Sequence, residues 1–254
     1  MPFTISHAGF VLPFRRYLNG HLLFAVVVGS MMPDVPYFVR GFGVASYAHT
    51  FLGAVVVSLP LGLCAYWIGI QLFREMTDLL PMPHRGWAST TDLYQKRNAV
   101  SWLGVSCALI GGAWSHNFLD SFTHDTGLAV SFIPFLAESS WVILRENFPN
   151  YRLLQYGGSI VGLCMLLIAY TVGLRRYCKK TGSMLWADGT RWAALLGLLM
   201  GSILIAGSLH VHRLADGLNS LSLRSFGFLF LITLMPVYAI GLIAMALRAR
   251  WRKR

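Results

Sequence analysis

The stretch SFGFLFLITLMPVYAIGLIAMAL, Ser225–Leu247, decides the fold, because its 23 residues carry no charge. A helix of about 20 residues crosses a hydrocarbon core about 30 Å thick, and only helices or closed barrels satisfy their backbone groups there. Four further runs, Thr50–Phe73, Ala99–Ser115, Tyr156–Leu174 and Trp192–Leu209, are equally free of charge. Their unbroken apolarity, without alternation between successive residues, excludes a barrel. Two weaker runs complicate the pattern. Leu22–Val39 is cut by Pro33, Asp34 and Pro36, which leaves only the eleven residues Leu22–Met32 before the first proline and reads as a broken span. Gly127–Leu144 contains Pro134 and Glu138 and reads as a re-entrant or interfacial segment. The expected fold class is therefore all-α: a polytopic helical membrane protein with about six transmembrane helices plus that segment. One helical membrane domain is expected over residues 1–254, with a site-bearing half at 1–125 and an apolar half at 150–254.

Composition agrees with this reading. The chain is 56% hydrophobic and 12% charged, against roughly 25% charged in a soluble domain. Its net charge of +11 raises the question of nucleic acid, but the basic residues sit at span ends and no nucleic-acid partner is expected. With the N-terminus inside and six crossings, the inner segments hold Arg15, Arg16, Arg74, Arg85, Lys96, Arg97, Arg175, Arg176, Lys179, Lys180, Arg191 and the basic tail Arg248–Arg254. These are sixteen of the 21 basic residues, so the positive-inside rule places both termini in the cytoplasm. The tail is also suited to anionic lipid headgroups. Arg15 and Arg16 precede an apolar stretch as in a signal peptide, but no small-x-small cleavage site follows and the segment is read as retained. The cysteines form no CxxC pair and imply neither a disulfide framework nor a thiolate zinc site. Trp67, Trp87, Trp102, Trp141, Trp186 and Trp192 flank spans as an interfacial belt.

Ionisable residues in or at the ends of spans are costly and point to function. The candidates are His7, Asp34 after Pro33, His49, and the run Ser115-His116-Asn-Phe-Leu-Asp120-Ser-Phe-Thr-His124-Asp125. The topology drawn from the basic residues puts Asp34, His49, His116, Asp120 and His124 near the outer membrane face. His116, Asp120 and His124 are spaced i, i+4, i+8 and share one side if the helix continues through Thr123. Imidazole and carboxylate four apart can grip one ion and suit zinc, manganese or iron. Each residue also has an ordinary explanation. His21 and His84 read as interfacial residues, Asp34 alone as a helix cap, and an i, i+4 His–Asp pair as a hydrogen bond that needs no metal. His212 and Asp216 repeat the HxxxD spacing with His210 nearby, and there the interfacial reading is preferred. No nucleophile elbow, phosphate loop, dinucleotide fingerprint or desaturase histidine box is present.

The segments Met-Pro-Phe-Thr-Ile-Ser-His7, Gly-Ser-Met-Met-Pro-Asp34, Ala-His49-Thr and Trp-Ser-His116-Asn-Phe-Leu-Asp120-Ser-Phe-Thr-His124-Asp125 resemble an uncharacterised bacterial family of integral membrane proteins, a domain of unknown function. The set also resembles inner-membrane metal-dependent hydrolases and, remotely, zinc-dependent phospholipase C. That resemblance implies Asp34, His49, His116 and Asp120 as ligands of one metal, with Asp120 bridging to a second held by His7 and completed by His124 or Asp125. It departs from the soluble enzymes after Asp125, where their further histidine and His-x-x-x-Glu are missing. It also wants His7 beside Asp34, whereas simple topology puts His7 on the inner side. A helical hairpin of Thr4–Tyr17 and Leu22–Met32, dipping into the membrane, would reconcile the two.

The reading that follows is a bacterial inner-membrane, metal-dependent hydrolase acting on a phosphodiester or ester, such as a lipid headgroup, at the outer face. A divalent metal, zinc first and then manganese or iron, is the expected cofactor. Membrane lipids and a small-molecule or lipid substrate are the expected partners. Asp34 or Asp125 would be the base where not a ligand. The alternatives are a transporter or proton relay using the same residues and a non-catalytic scaffold held by polar contacts.

Overall fold

In the computed structural model of the chain, residues 3–95, 100–143, 146–182, 188–211 and 220–252 are described. The helices of seven or more residues among them are α1 (Thr4–Val11), α2 (Gly20–Gly29), α3 (Phe42–Ala48), α4 (Leu59–Leu79), α5 (Trp102–Asp120), α6 (Asn150–Thr181), α7 (Gly189–His210) and α8 (Ser220–Trp251). The sheet among the described residues is one antiparallel pair, β1 (Trp141–Ile143) against β2 (Glu146–Phe148), with Trp141 opposite Phe148. The fold is thus an all-α, polytopic membrane fold. Gly20–Phe38, Phe51–Leu79, Asn150–Thr181, Gly189–His210 and Ser225–Trp251 are long and apolar enough to cross a bilayer. The remaining run, Ala99–Ser115, corresponds to α5, whose 19 residues make a helix about 28 Å long.

Local chemistry explains where these helices start and break. Asn19 caps α2 by accepting the Leu22 N–H at 2.9 Å, and Ser101 caps α5 by accepting the Gly104 N–H at 3.1 Å. The first span is broken where its prolines fall: α2 ends at Gly29, Met32–Asp34 tightens to a 3-10 turn, and one helical turn follows at Val35–Phe38. Gly127–Leu144 forms no long helix. Two short ones, Leu128–Phe132 and Pro134–Ala137, lead into β1.

The chain divides into two compact units, one of residues 1–36, 41–68 and 96–173 and one of residues 37–40, 69–95 and 174–254. In the first, α2 and α5 cross at backbone contact. A side chain at Gly29 would overlap the Leu109 carbonyl, and one at Gly112 would overlap the Val26 carbonyl and the Ser30 nitrogen. In the same unit α1 lies on α6. A side chain at Gly9 would strike the Gly162 backbone, one at Gly162 would strike Ser6, and the Phe3 N–H donates to Ser159 Oγ at 3.0 Å. After α1, a 3-10 turn at Leu12–Arg16 reverses the chain into α2. That is the helical hairpin which the position of His7 requires.

In the second unit, Asp188 takes a left-handed conformation (φ 65°) before α7 and accepts the Met82 N–H at 3.0 Å and Arg191 at 2.9 Å. His84 meets Trp192 edge to face at 5.3 Å, and His210 contacts Thr233 Oγ1 at 2.9 Å within the packing of α7 and α8. In the first unit, His21 contacts the Tyr66 hydroxyl at 2.9 Å. Each of these histidines has a structural partner. His212 and Asp216 lie outside the described residues.

Candidate metal centre

Six residues singled out by their unsuitability for a membrane interior come together in the first unit. His7 arrives on α1, Asp34 on the 3-10 turn that ends α2, and His49 at the end of α3. His116 and Asp120 lie one turn apart on α5, and His124 follows α5. The expected continuation of α5 to His124 does not occur, because the helix stops at Asp120. Beyond Asp120 the backbone tightens to i, i+3 bonds, with the Phe122 N–H on the Leu119 carbonyl at 3.2 Å and the Thr123 N–H on the Asp120 carbonyl at 3.1 Å. His124 nevertheless stays close, with its Nδ1 3.2 Å from the Asp120 carbonyl and 3.6 Å from Asp120 Oδ2.

Asp34, His7 and His116 are each exposed by no more than 1%, and their hydrogen bonds fix which atoms face inward. A carbonyl can only accept, so the 2.7 Å contact of His49 Nδ1 with the Ala45 carbonyl and the 2.8 Å contact of His116 Nδ1 with the Ser30 carbonyl put a proton on each Nδ1. In the neutral rings both Nε2 atoms are then lone pairs, and they confront each other at 3.2 Å. Two acceptors at that distance repel unless a proton or a metal cation lies between them. The carboxylates sharpen the point. Asp34 Oδ1 is 3.3 Å from His49 Nε2 and 3.6 Å from His116 Nε2, while Asp120 Oδ2 is 3.4 Å and 3.3 Å from the same two atoms. Asp34 Oδ1 and both oxygens of Asp120 are buried without a hydrogen-bond donor. Unsatisfied buried oxygens of this kind are costly.

His7 is held differently. Its ring stacks on His116 at 3.8 Å, its Nε2 is 3.4 Å from Asp120 Oδ1, and neither ring nitrogen has a hydrogen-bond partner. Donor atoms of His7, His116 and Asp120 lie within 4.8 Å of one another, and so do those of Asp34, His49 and His116. The buried His/Asp group can therefore hold a metal ion. Two carboxylates carry two negative charges, which one divalent cation balances once the His49 proton has left. Asp125 does not join the cluster. It is exposed, and its Oδ1 accepts the following Thr126 N–H at 2.9 Å.

One contributor escaped the sequence reading. Thr4 is buried, and its hydroxyl donates to Asp34 Oδ2 at 2.7 Å. This bond leaves Oδ1 as the oxygen aimed at the imidazoles, and it ties α1 to the Asp34 turn. Thr4 and His7 are three apart on one helical face, which is the signal available in the sequence. Outer-shell hydrogen bonds of this kind typically change metal affinity 10–100-fold. Thr4→Val should therefore weaken metal binding by roughly that factor while Thr4→Ser retains it, as chelator competition would measure.

Burial disfavours charge on both His7 and His49, with opposite outcomes. Burial, reinforced by His116, pushes His7 down to about 3. For His49 the carboxylates of Asp120 and Asp34 overcome burial and hold the ring up to about 10. A metal that takes His49 Nε2 must displace that proton. Affinity should then rise about tenfold per pH unit from roughly pH 7 to 9, with one proton released on binding, as titration calorimetry in two buffers would read. A flat profile would mean that His49 is not displaced.

Residues 1–247 match a family model described as a domain of unknown function, DUF4184, and the chain belongs to that family. No curated protein and no solved structure matches the chain.

Proposed function

We propose that this protein is a membrane-embedded, metal-dependent hydrolase of a phosphodiester or ester, such as a lipid headgroup. The observation that carries the reading is the convergence of imidazole nitrogens and buried carboxylate oxygens at 3.2–3.6 Å. His49, His116, Asp34 and Asp120 would hold the metal, with His7 beside the free oxygen of Asp120. Zinc suits this nitrogen and oxygen set, and manganese or iron is the next choice. When bound, such a metal lowers the pKa of a water toward neutrality and offsets charge on a phosphoryl or carbonyl oxygen.

The chain's own groups supply the rest. In the alternative in which His49, His116 and Asp120 alone hold the metal, Asp34 Oδ1, the oxygen that the Thr4 bond leaves aimed at the site, would be the base. His124 stands at the rim with its side chain 26% exposed, where it can contact a substrate entering the site. Asp125, exposed and engaged with Thr126, is set aside as the base. The distribution of basic residues supports an inner-membrane orientation with cytoplasmic termini and the site at the outer face.

Hydrolysis of bis-p-nitrophenyl phosphate and of p-nitrophenyl acetate by the detergent-purified full chain tests the reading. Turnover that a chelator abolishes, zinc or manganese restores, and His116→Ala lacks is the expected result. Metal-loaded wild type inactive on both compounds and on phospholipid vesicles would overturn it.

A further inference from the structure

Residues 127–142 present apolar side chains outward although they form no span. Leu128 is 67% exposed, Phe132 76%, Phe135 61%, Trp141 57% and Val142 71%, while Val130 and Leu136 are turned inward. So large an apolar face is unusual on a surface bathed in water. The segment is also tied down at both ends. The Val130 N–H donates to the Ser121 carbonyl at 3.2 Å, just beyond α5, and a side chain at Gly127 would overlap Ser121. At the other end Asn150, the first residue of α6, donates through Nδ2 to the Phe135 carbonyl and Ser140 Oγ, both at 2.8 Å, and its N–H donates to the Glu138 carbonyl at 3.0 Å. The segment therefore sits where the membrane-crossing helix α6 begins.

We infer that residues 127–143 form an interfacial collar whose outward face is seated in the headgroup and upper acyl region of one bilayer leaflet. Three features select lipid as the occupant. The face is continuous with the start of a membrane span, so the bilayer is already beside it. Its exposed members include Phe132, Phe135 and Trp141, and aromatic side chains, tryptophan above all, concentrate at membrane interfaces. Arg152, one turn into α6, lies 5.9 Å from the Phe148 ring and 6.0 Å from that of Tyr151. This places a cation on an apolar footing within reach of lipid phosphates. Because His124 precedes the collar by three residues, the collar fixes the rim of the metal centre at headgroup depth. This inference goes beyond the proposed hydrolysis and does not depend on it.

The test uses the full chain with Cys64, Cys107, Cys164 and Cys178 replaced by alanine, reconstituted in phosphatidylcholine vesicles. Nitroxides are attached singly at Leu128→Cys, Phe132→Cys and Val142→Cys, with Asp125→Cys as the exposed reference, so that one poorly folding variant leaves the others to decide. Collision of each label with oxygen, which partitions into lipid, is compared with collision with a water-soluble nickel chelate. Oxygen should dominate at all three collar sites, with an oxygen-to-nickel ratio about tenfold above that at Asp125→Cys. A ratio equal to the reference at these sites would overturn the inference. Shielding from both agents that disappears on dilution into excess lipid would also overturn it, by assigning the face to a second copy of the chain.

Discussion

Asp120→Ala should abolish metal binding, with an affinity loss well beyond the roughly 10–100-fold that outer-shell changes cost. Asp120 is the residue on which the cluster converges, since its two oxygens face His7 on one side and His49, His116 and His124 on the other. His116→Ala should lose metal as well, because His116 belongs to both groups of neighbouring donors. Stability separates this from a scaffold role. If the polar residues served only to join helices, Asp120→Ala would destabilise the protein. In a metal centre the variant loses, in addition, the stabilisation that bound metal gives the folded chain. Metal-free Asp120→Ala should unfold earlier than metal-free wild type, because the buried imidazoles lose their carboxylate, and the stabilisation that added zinc gives wild type should disappear. Thermal unfolding in detergent with and without zinc would read both effects.

Gly112→Val should have the second large effect, and through packing instead of ligand chemistry. The helices α2 and α5 touch at backbone distance around Gly29 and Gly112, where a side chain has no space. Overpacking commonly costs 1–3 kcal/mol, and more where rigid backbone rather than a mobile side chain must yield. The site would suffer with the fold, because this crossing sets the Ser30 carbonyl against His116 Nδ1. The expected outcome is protein that unfolds earlier and takes up little metal. Gly111→Val, on the same helix with open space at its Cβ, should behave like wild type.

These cases mark how far the sequence can be read. The spans were legible because charge-free runs of membrane length have few alternative explanations, and the break in the first span was legible from Pro33 and Pro36. The site was legible because His116, Asp120, His49 and Asp34 lie where ionisable groups are penalised. The seat of α1 was not legible. It depends on Gly9 and Ser6 meeting Gly162 and on Phe3 meeting Ser159, contacts more than 150 residues apart in a helix that reads as plain span. For the same reason Thr4 passed as an ordinary hydroxyl near the start of the chain. His124 is read from helical spacing, which fails just after Asp120, where the backbone tightens to i, i+3 bonds, and Asp125 enters only through the resemblance and as an alternative base. His124 remains beside the cluster through its link to the Asp120 carbonyl, whereas Asp125 faces solvent.

The central claim is that imidazole nitrogens and buried carboxylates converge because a divalent cation belongs between them. Elemental analysis of detergent-purified wild-type protein tests it most directly. The expected result is about one equivalent of zinc, manganese or iron per chain, retained through gel filtration. Wild-type protein that is folded, carries no such metal and takes up none when zinc or manganese is added would contradict it.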